Sequence, residues 1–259
     1  MRTVAIIQAR MGSTRLPGKV LKNLLGKPML VHIFNRVNQS KLVDQVVIAT
    51  SINKENNVIR AVCKENNISY FSGSENNVLE RFFYTACHFE AEQIIRITAD
   101  CPLIDSDIIN KLIERFNNSN YNFMGVAAGA GASNSDFKGN RYPQGLDAEI
   151  FMFDILKKAY KEATSDRDKE HVTPYIWTKP SVFKIGQLKA EKDYSEMRWV
   201  IDNPEDFDFI EQIYKKLYPK NPNFGMKEIL NFLESNKTLQ NMNKKFIGKE
   251  GHEQFWKKE

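Results

Sequence analysis

Val4-Ala5-Ile6-Ile7-Gln8-Ala9-Arg10-Met11-Gly12-Ser13-Thr14-Arg15-Leu16-Pro17-Gly18-Lys19 passes from an apolar run into a loop of small, hydroxylated and basic residues. The run Val4 to Ala9 is short and rich in β-branched residues, which predicts a buried first strand. The loop that follows has the composition of a phosphate site. Ala9, Gly12 and Gly18 are small enough to let backbone N–H groups approach an anion, Ser13 and Thr14 add hydroxyls, and Arg10, Arg15 and Lys19 offset much of the charge of a polyphosphate. It is not a Walker A loop, because one residue too many separates Gly12 from Gly18 and Val20 stands where that loop needs a hydroxyl. The GxGxxG dinucleotide pattern is absent too. A basic surface turn after an edge strand is the plain alternative, and three cations directly behind a buried strand favour phosphate.

Working outward, apolar β-branched runs alternate with helix-period segments, as in a parallel sheet covered by helices. The pattern predicts helices over 28–39, 55–65, 78–90 and 106–116, and strands over 43–50, 68–71, 93–98 and 122–128. It then breaks at Gly129-Ala130-Gly131-Ala132-Ser133-Asn134-Ser135, which is loop composition. Strands over 141–150 and 181–201 flanking a helical stretch predict a mixed extension of the sheet, and helices over 204–217 and 226–235 close the fold. The simplest division is one domain over 1–235 with an excursion at about 129–185, followed by a polar, basic tail over 236–259 that predicts partial disorder.

The chain of 259 residues carries a net charge of +5, modest for its length, with Lys244, Lys245, Lys249, Lys257 and Lys258 clustered near its end. That balance suits an anionic small molecule better than a nucleic-acid polymer, and no basic face with stacking aromatics is recognisable. Cys63, Cys87 and Cys101 have no metal-ligand spacing and leave one over after any pairing, so a reducing cytoplasm is expected. No window reaches the roughly 20 apolar residues of a membrane span. His32, His88 and His252 show no zinc spacing.

Two aspartates complete the picture. Asp100 follows the run Ile94 to Thr98, so it should project from a strand's C-terminal edge, where open α/β sheets bind ligands. Asp202 follows Arg198 to Ile201 and precedes Pro204, which suits a helix start. Either residue alone reads equally well as a helix N-cap; their shared placement favours a site for a hard cation such as Mg2+. Glu205 and Asp206 read as first-turn acids stabilising a helix start.

Gln8 through Leu21, QARMGSTRLPGKVL, resembles the signature loop of the cytidylyltransferases that make CMP-activated sugars, the CMP-Kdo and CMP-acylneuraminate synthetases, and most closely the branch typified by the spore coat polysaccharide protein SpsF. The resemblance takes in Gly73 to Arg81, Thr98 to Ile104, Tyr142 to Glu149, Glu170 to Tyr175 and Trp199 to Asp206, and so spans most of the chain. It implies a Rossmann-like, GT-A-like three-layer α/β sandwich with a mostly parallel sheet and a small mixed extension. It further implies a cytoplasmic, homodimeric enzyme that transfers CMP from CTP to an acidic sugar with release of pyrophosphate, for surface polysaccharide or glycoconjugate synthesis. Arg10, Arg15 and Lys19 would then contact the triphosphate, and Asp100 and Asp202 would hold Mg2+.

By the same resemblance Gly73 and Arg81 lie where relatives recognise the base, although Arg81 reads equally well as a solvated arginine paired with Glu75 or Glu80. Arg141, Gln144, Asp147, Glu149 and His171 fall where relatives read the acceptor. For Glu149 alone an ordinary surface acid is the preferred reading, and for His171 a capping or packing role is the commoner one. The aromatic groups Phe82-Phe83-Tyr84 and Phe151 with Phe153 read as core. Alternatives are a sugar phosphate or phosphonate acceptor, a binding protein that kept the nucleotide loop, or a nucleotide-sugar glycosyltransferase. The last needs an Asp-x-Asp motif, and Asp105-Ser106-Asp107 has that spacing, though Asp105 reads better as a helix cap.

Overall fold

The computed structural model describes residues 1–128 and 139–248. The expected loop Gly129 to Ser135 and the last basic residues, Lys249, Lys257 and Lys258, lie outside them. The chain opens with β1 (Thr3–Gln8), a 3-10 turn at Lys19–Leu21, and a small hairpin of β2 (Asn23–Leu24) and β3 (Lys27–Pro28). It continues through α1 (Met29–Val37), β4 (Gln45–Ser51), α2 (Asn57–Glu65), β5 (Tyr70–Gly73), α3 (Val78–His88) and β6 (Gln93–Thr98). Then come α4 (Ser106–Asn117), β7 (Phe123–Val126), β8 (Glu149–Met152), α5 (Phe153–Glu162), α6 (Asp166–His171), α7 (Pro174–Trp177) and β9 (Ile185–Leu188). The described chain ends with α8 (Pro204–Leu217), α9 (Met226–Glu234) and α10 (Lys237–Gln240).

The main sheet has the order β5-β4-β1-β6-β8-β7-β9. Its first four strands are parallel, β8 runs antiparallel to both β6 and β7, and β9 is parallel to β7. Alternation along the strands builds a core on each face. Ala5, Ile7, Ile48 and Ile95 face α1, α4, α8 and α9, whereas Val4, Ile6, Val47 and Ile94 face α3, α5 and α7. Each such valine or isoleucine contributes about 1.5–3 kcal/mol on burial, which explains why the strand segments read so clearly from their apolar content. The result is the three-layer, mostly parallel α/β sandwich anticipated above.

This topology decides where a ligand can bind. The chain leaves β1 for β4 on one side and later returns to β6 on the other, so crossovers depart in opposite directions at the C-terminal ends of β1 and β6. Such a switch point opens a crevice. The basic loop follows β1 and Asp100 follows β6, so both candidate motifs face it.

Several expectations change. The strands anticipated over 141–150 and 181–201 shrink to β8 and β9, and Arg198 to Ile201 is not a strand but is joined to Gln144 by an isolated bridge. Asp202 therefore ends a loop rather than a strand. Phe82 and Phe151 are core, but Tyr84 is 46% exposed, so that cluster is only partly internal. The tail is folded as far as it is described, with α10 followed by a 3-10 turn at Lys244–Phe246. Among the described residues no helix is long and apolar enough to cross a membrane, and all three cysteines are free thiols.

Candidate active site

The loop after β1 is shaped by its own backbone. Ser13 N–H and Gly18 N–H both donate to the Met11 carbonyl, at 2.8 and 3.4 Å, and Met11 N–H donates to Asn56 Oδ1 at 2.9 Å. Gly18 has φ of 67°, a left-handed conformation that glycine adopts without a Cβ clash. Val20 is buried in the core, which anchors the turn and aims Lys19 at the crevice. There Lys19 Nζ donates to Asp100 Oδ2 at 2.9 Å, to Asp202 Oδ1 at 2.9 Å and to the Ile201 carbonyl at 2.7 Å. All three ammonium hydrogens are thus used.

The two carboxylates are fixed from behind. Ile201 N–H donates to the Asp100 carbonyl at 2.9 Å, joining the two aspartate segments through the backbone. Tyr214 Oη donates to the Pro102 carbonyl at 2.7 Å, and Arg36, buried and stacked on Phe224, donates to the carbonyls of Ile104, Leu103 and Phe224. Burial opposes the charge on Asp100, but the Lys19 ammonium prevails and holds its carboxyl down to about 2. Burial likewise opposes the charge on Lys19, yet Asp100 and Asp202 hold its pKa above the usual lysine value.

Asp202 meets two further cations. Arg15 Nη2 lies 2.9 Å from its Oδ1, and Arg198 Nη2 donates to its Oδ2 at 3.0 Å. Arg198 is 2% exposed. It also donates Nε and Nη2 to Asp206, at 2.9 and 3.0 Å, and Nη1 to Gln144 Oε1 at 3.0 Å. Sequence reasoning passed over Arg198 as part of a strand. The available signal was a charged residue opening the apolar run Trp199-Val200-Ile201, a position that requires a buried counter-ion. Asp206 does stabilise the start of α8, accepting from Asn203 N–H at 2.9 Å, and it also supports the site through Arg198.

Arg15, Lys19, Asp100 and Asp202 line an open cavity of about 400 Å³, together with Ala9, Arg10, Gly12, Ser13, Arg81, Gln144, Asp147, Glu149 and His171. Arg10 stands between Glu75 and Glu170, at 3.7 and 3.5 Å. Arg81 is not a solvated arginine: it is 1% exposed and donates to the Ser74 carbonyl at 2.5 Å. Burial, reinforced by Arg10 and only partly offset by Glu75, lowers its pKa to about 10. Gly73 is outside the lining; a Cβ there would sit 3.1 Å from the Arg81 Cγ, so its smallness makes room for that side chain. Arg141 is also outside the lining, with its backbone tied to Asp193 and Tyr194.

On the opposite wall, the turn through Gln144 and Gly145 presses against the chain at Trp199. Gly145 has φ of 99°, and a Cβ there would fall 2.5 Å from the Trp199 carbonyl carbon, so glycine is required twice over. Asp147 accepts from Gly145 N–H at 2.7 Å. Burial, with the nearby charges of Asp100 and Glu149, raises its pKa to about 7 against the pull of that N–H. Glu149 is no loose surface acid. It pairs with Arg96 at 2.6 Å and accepts from Thr173 Oγ1 at 3.1 and 3.0 Å. Arg96 in turn donates to Gln8 Oε1 at 3.1 Å and is a lining residue that sequence reasoning missed.

The donor set fits a divalent cation of the Mg2+ type. Two aspartate carboxylates converge on Lys19, with Arg15 and Arg198 also on Asp202, and Mg2+ is commonly held by one or two carboxylates plus substrate phosphates. Among the described residues no group of three or more His, Cys, Asp or Glu is arranged to hold a metal by itself. Asp105 is committed elsewhere, accepting from Asp107 N–H and Ile108 N–H as the cap of α4 and from Met226 N–H at 2.6 Å. The Asp-x-Asp motif of a glycosyltransferase is therefore spent on structure.

Residues 4–239 match the family model described as cytidylyltransferase. The chain belongs to the cytidylyltransferase family. It is accordingly a nucleotidyltransferase. The spore coat polysaccharide biosynthesis protein SpsF of Bacillus subtilis is 32% identical over 240 residues, covering 89% of this chain and 93% of the relative. A cytidylyltransferase from Leptospira borgpetersenii superposes with a TM-score of 0.82 at 28% identity, covering 93% of this chain and 97% of the other. CMP:2-keto-3-deoxy-manno-octonic acid synthetase complexed with CTP shares the fold, with a TM-score of 0.65 at 17% identity over 83% of this cytidylyltransferase and 99% of the synthetase.

Proposed function

We propose that this cytidylyltransferase uses Mg2+ and CTP to place CMP on an acidic sugar or a related acceptor, with release of pyrophosphate, in the synthesis of a surface polysaccharide or glycoconjugate. The observation that carries the reading is the convergence of Lys19, Asp100 and Asp202 at the switch-point crevice, with Arg15 on the same carboxylate. An acceptor oxygen attacks the α-phosphorus, forming the new P–O bond as the bond to the β-phosphate's bridging oxygen breaks and pyrophosphate departs. No covalent enzyme intermediate is needed. Arg10 and Arg15 bind phosphate oxygens, Lys19 joins them by turning its ammonium from the aspartates toward the triphosphate, the small residues Ala9, Gly12 and Ser13 leave room for the phosphates, and Arg81 with Gly73 shapes the base end. Asp100 and Asp202 would hold Mg2+, which supplies charge neutralisation for the departing pyrophosphate. Catalysis then rests on positioning and electrostatic stabilisation.

Gln144, Asp147, Glu149 and His171 form the wall that would read acceptor hydroxyls. Arg141 drops out of that set on its position. The relatives that carry the acceptor reading are the polysaccharide biosynthesis protein and the octonic acid synthetase. The test is pyrophosphate release with Mg2+, each of the four nucleoside triphosphates, and a panel of acidic sugars, sugar phosphates and phosphonates. CTP with an acidic sugar is expected to give turnover; consumption of a nucleotide sugar with no triphosphate consumed would replace this reading with glycosyl transfer. Pairing of two copies through the region 129–185 belongs to the same proposal, and a monomer by light scattering at micromolar concentration would remove it.

A further inference from the structure

Beyond α9 the polar tail turns back to the site. Asn243 is 1% exposed although it lies in a lysine-rich segment. Its Nδ2 donates to the Arg198 carbonyl at 3.0 Å and to Asp206 Oδ1 at 2.9 Å. The next two residues make ion pairs on either side of that contact: Lys244 with Glu196, and Lys245 with Glu205 at 2.9 Å. Glu196 precedes Arg198 and Glu205 follows Asp202, so the tail brackets the stretch that carries Asp202. Leu239 packs against the core and fixes where the segment departs.

A short, polar segment gains little by burial. What holds this one is a buried amide whose two hydrogens go to two members of one network. Asp206 accepts the Asn243 amide on the same oxygen that accepts Arg198 Nε, and Arg198 Nη2 is shared between Asp206 and Asp202. Loss of the amide leaves the Arg198 carbonyl and one Asp206 oxygen each short of a donor, which shifts the guanidinium's balance between its two carboxylates.

We infer that residues 237–248 form a strap in which Asn243 is a positioning residue for Asp202, setting the affinity for the divalent cation and triphosphate; this rests on the role proposed for Asp202 above. Two nitrogens of the Arg198 guanidinium go to Asp206 and Asp202 and one to Gln144, so the strap acts mainly on the metal and triphosphate end and reaches the acceptor wall only through Gln144.

The test uses full-length Asn243→Ala and measures Mn2+ binding in the presence of CTP by electron paramagnetic resonance, alongside the Mg2+ dependence of turnover. The loss of two buried hydrogen bonds behind the ligand is expected to weaken Mn2+ binding roughly tenfold. The Mg2+ concentration for half-maximal turnover should rise by the same factor, with a smaller change in the acceptor KM. Mn2+ binding and Mg2+ dependence equal to the wild type, whatever the melting temperature, would overturn the inference. Lys244→Ala/Lys245→Ala loosens the strap through surface ion pairs alone and should move both readings in the same direction by about two- to threefold. If Asn243→Ala does not fold, unchanged Mn2+ affinity in that double variant overturns the strap. Wild-type protein that binds no Mn2+ with CTP overturns the functional reading and the strap with it, whereas equal binding by wild type and variants overturns the strap alone.

Discussion

Lys19→Met is expected to lower CTP-dependent kcat/KM by about 10²–10³, the cost of removing one preorganised electrostatic group from a transition-state site. Methionine is unbranched and one atom shorter and carries no charge, so the shape of the cavity is nearly kept while Asp100 and Asp202 lose the ammonium that bridges them at 2.9 Å each. The stability of the variant should carry a matching pH signature. In the wild type the Asp100 carboxyl is held down to about 2, below its unfolded value of about 3.9. Its stabilisation is therefore fully present above the unfolded pKa and is lost as pH falls toward 2. In Lys19→Met that depression is gone, so the deficit in melting temperature relative to wild type should be largest near neutrality and shrink between pH 4 and pH 2. Turnover within threefold of wild type would remove Lys19 from the phosphate site.

Asp206→Leu should destabilise the protein by about 3–5 kcal/mol, the usual cost of breaking one side of a buried ion pair. Asp206 is fully buried and accepts from Arg198, Asn203, Asn243 and the Asp202 N–H. Burial opposes its ionisation, but Arg198 and the backbone N–H groups hold its carboxyl below the usual range. Leucine is of similar size but leaves the Arg198 guanidinium with Asp202 as its remaining carboxylate. Urea unfolding measures the loss directly, and a midpoint unchanged with an unchanged slope would show that Arg198 is balanced by other groups.

How much of this was legible in the sequence depends on range. β1 and β6 read correctly because a buried strand announces itself by local apolar content, and the residues that follow them, Lys19 and Asp100, came with it. Asp202 was found for a partly mistaken reason, since the stretch before it is held by Gln144 and Asp100 backbone contacts rather than by a strand ladder. Glu149 read more naturally as a surface acid because its partner Arg96 is 53 residues away, and no local pattern ties the two. Asn243 was hidden more deeply. A polar tail signals disorder on composition, and only the fold shows that one amide in it meets a buried carboxylate.

Asp100 and Asp202 are proposed to hold the catalytic cation beside the triphosphate. A crystal structure with CTP and Mn2+ tests it directly through the anomalous signal of the metal. A peak within coordinating distance of both carboxylates is expected, with the triphosphate lying along the loop from Arg10 to Lys19. A nucleotide bound elsewhere, or Mn2+ coordinated without either aspartate, would contradict it.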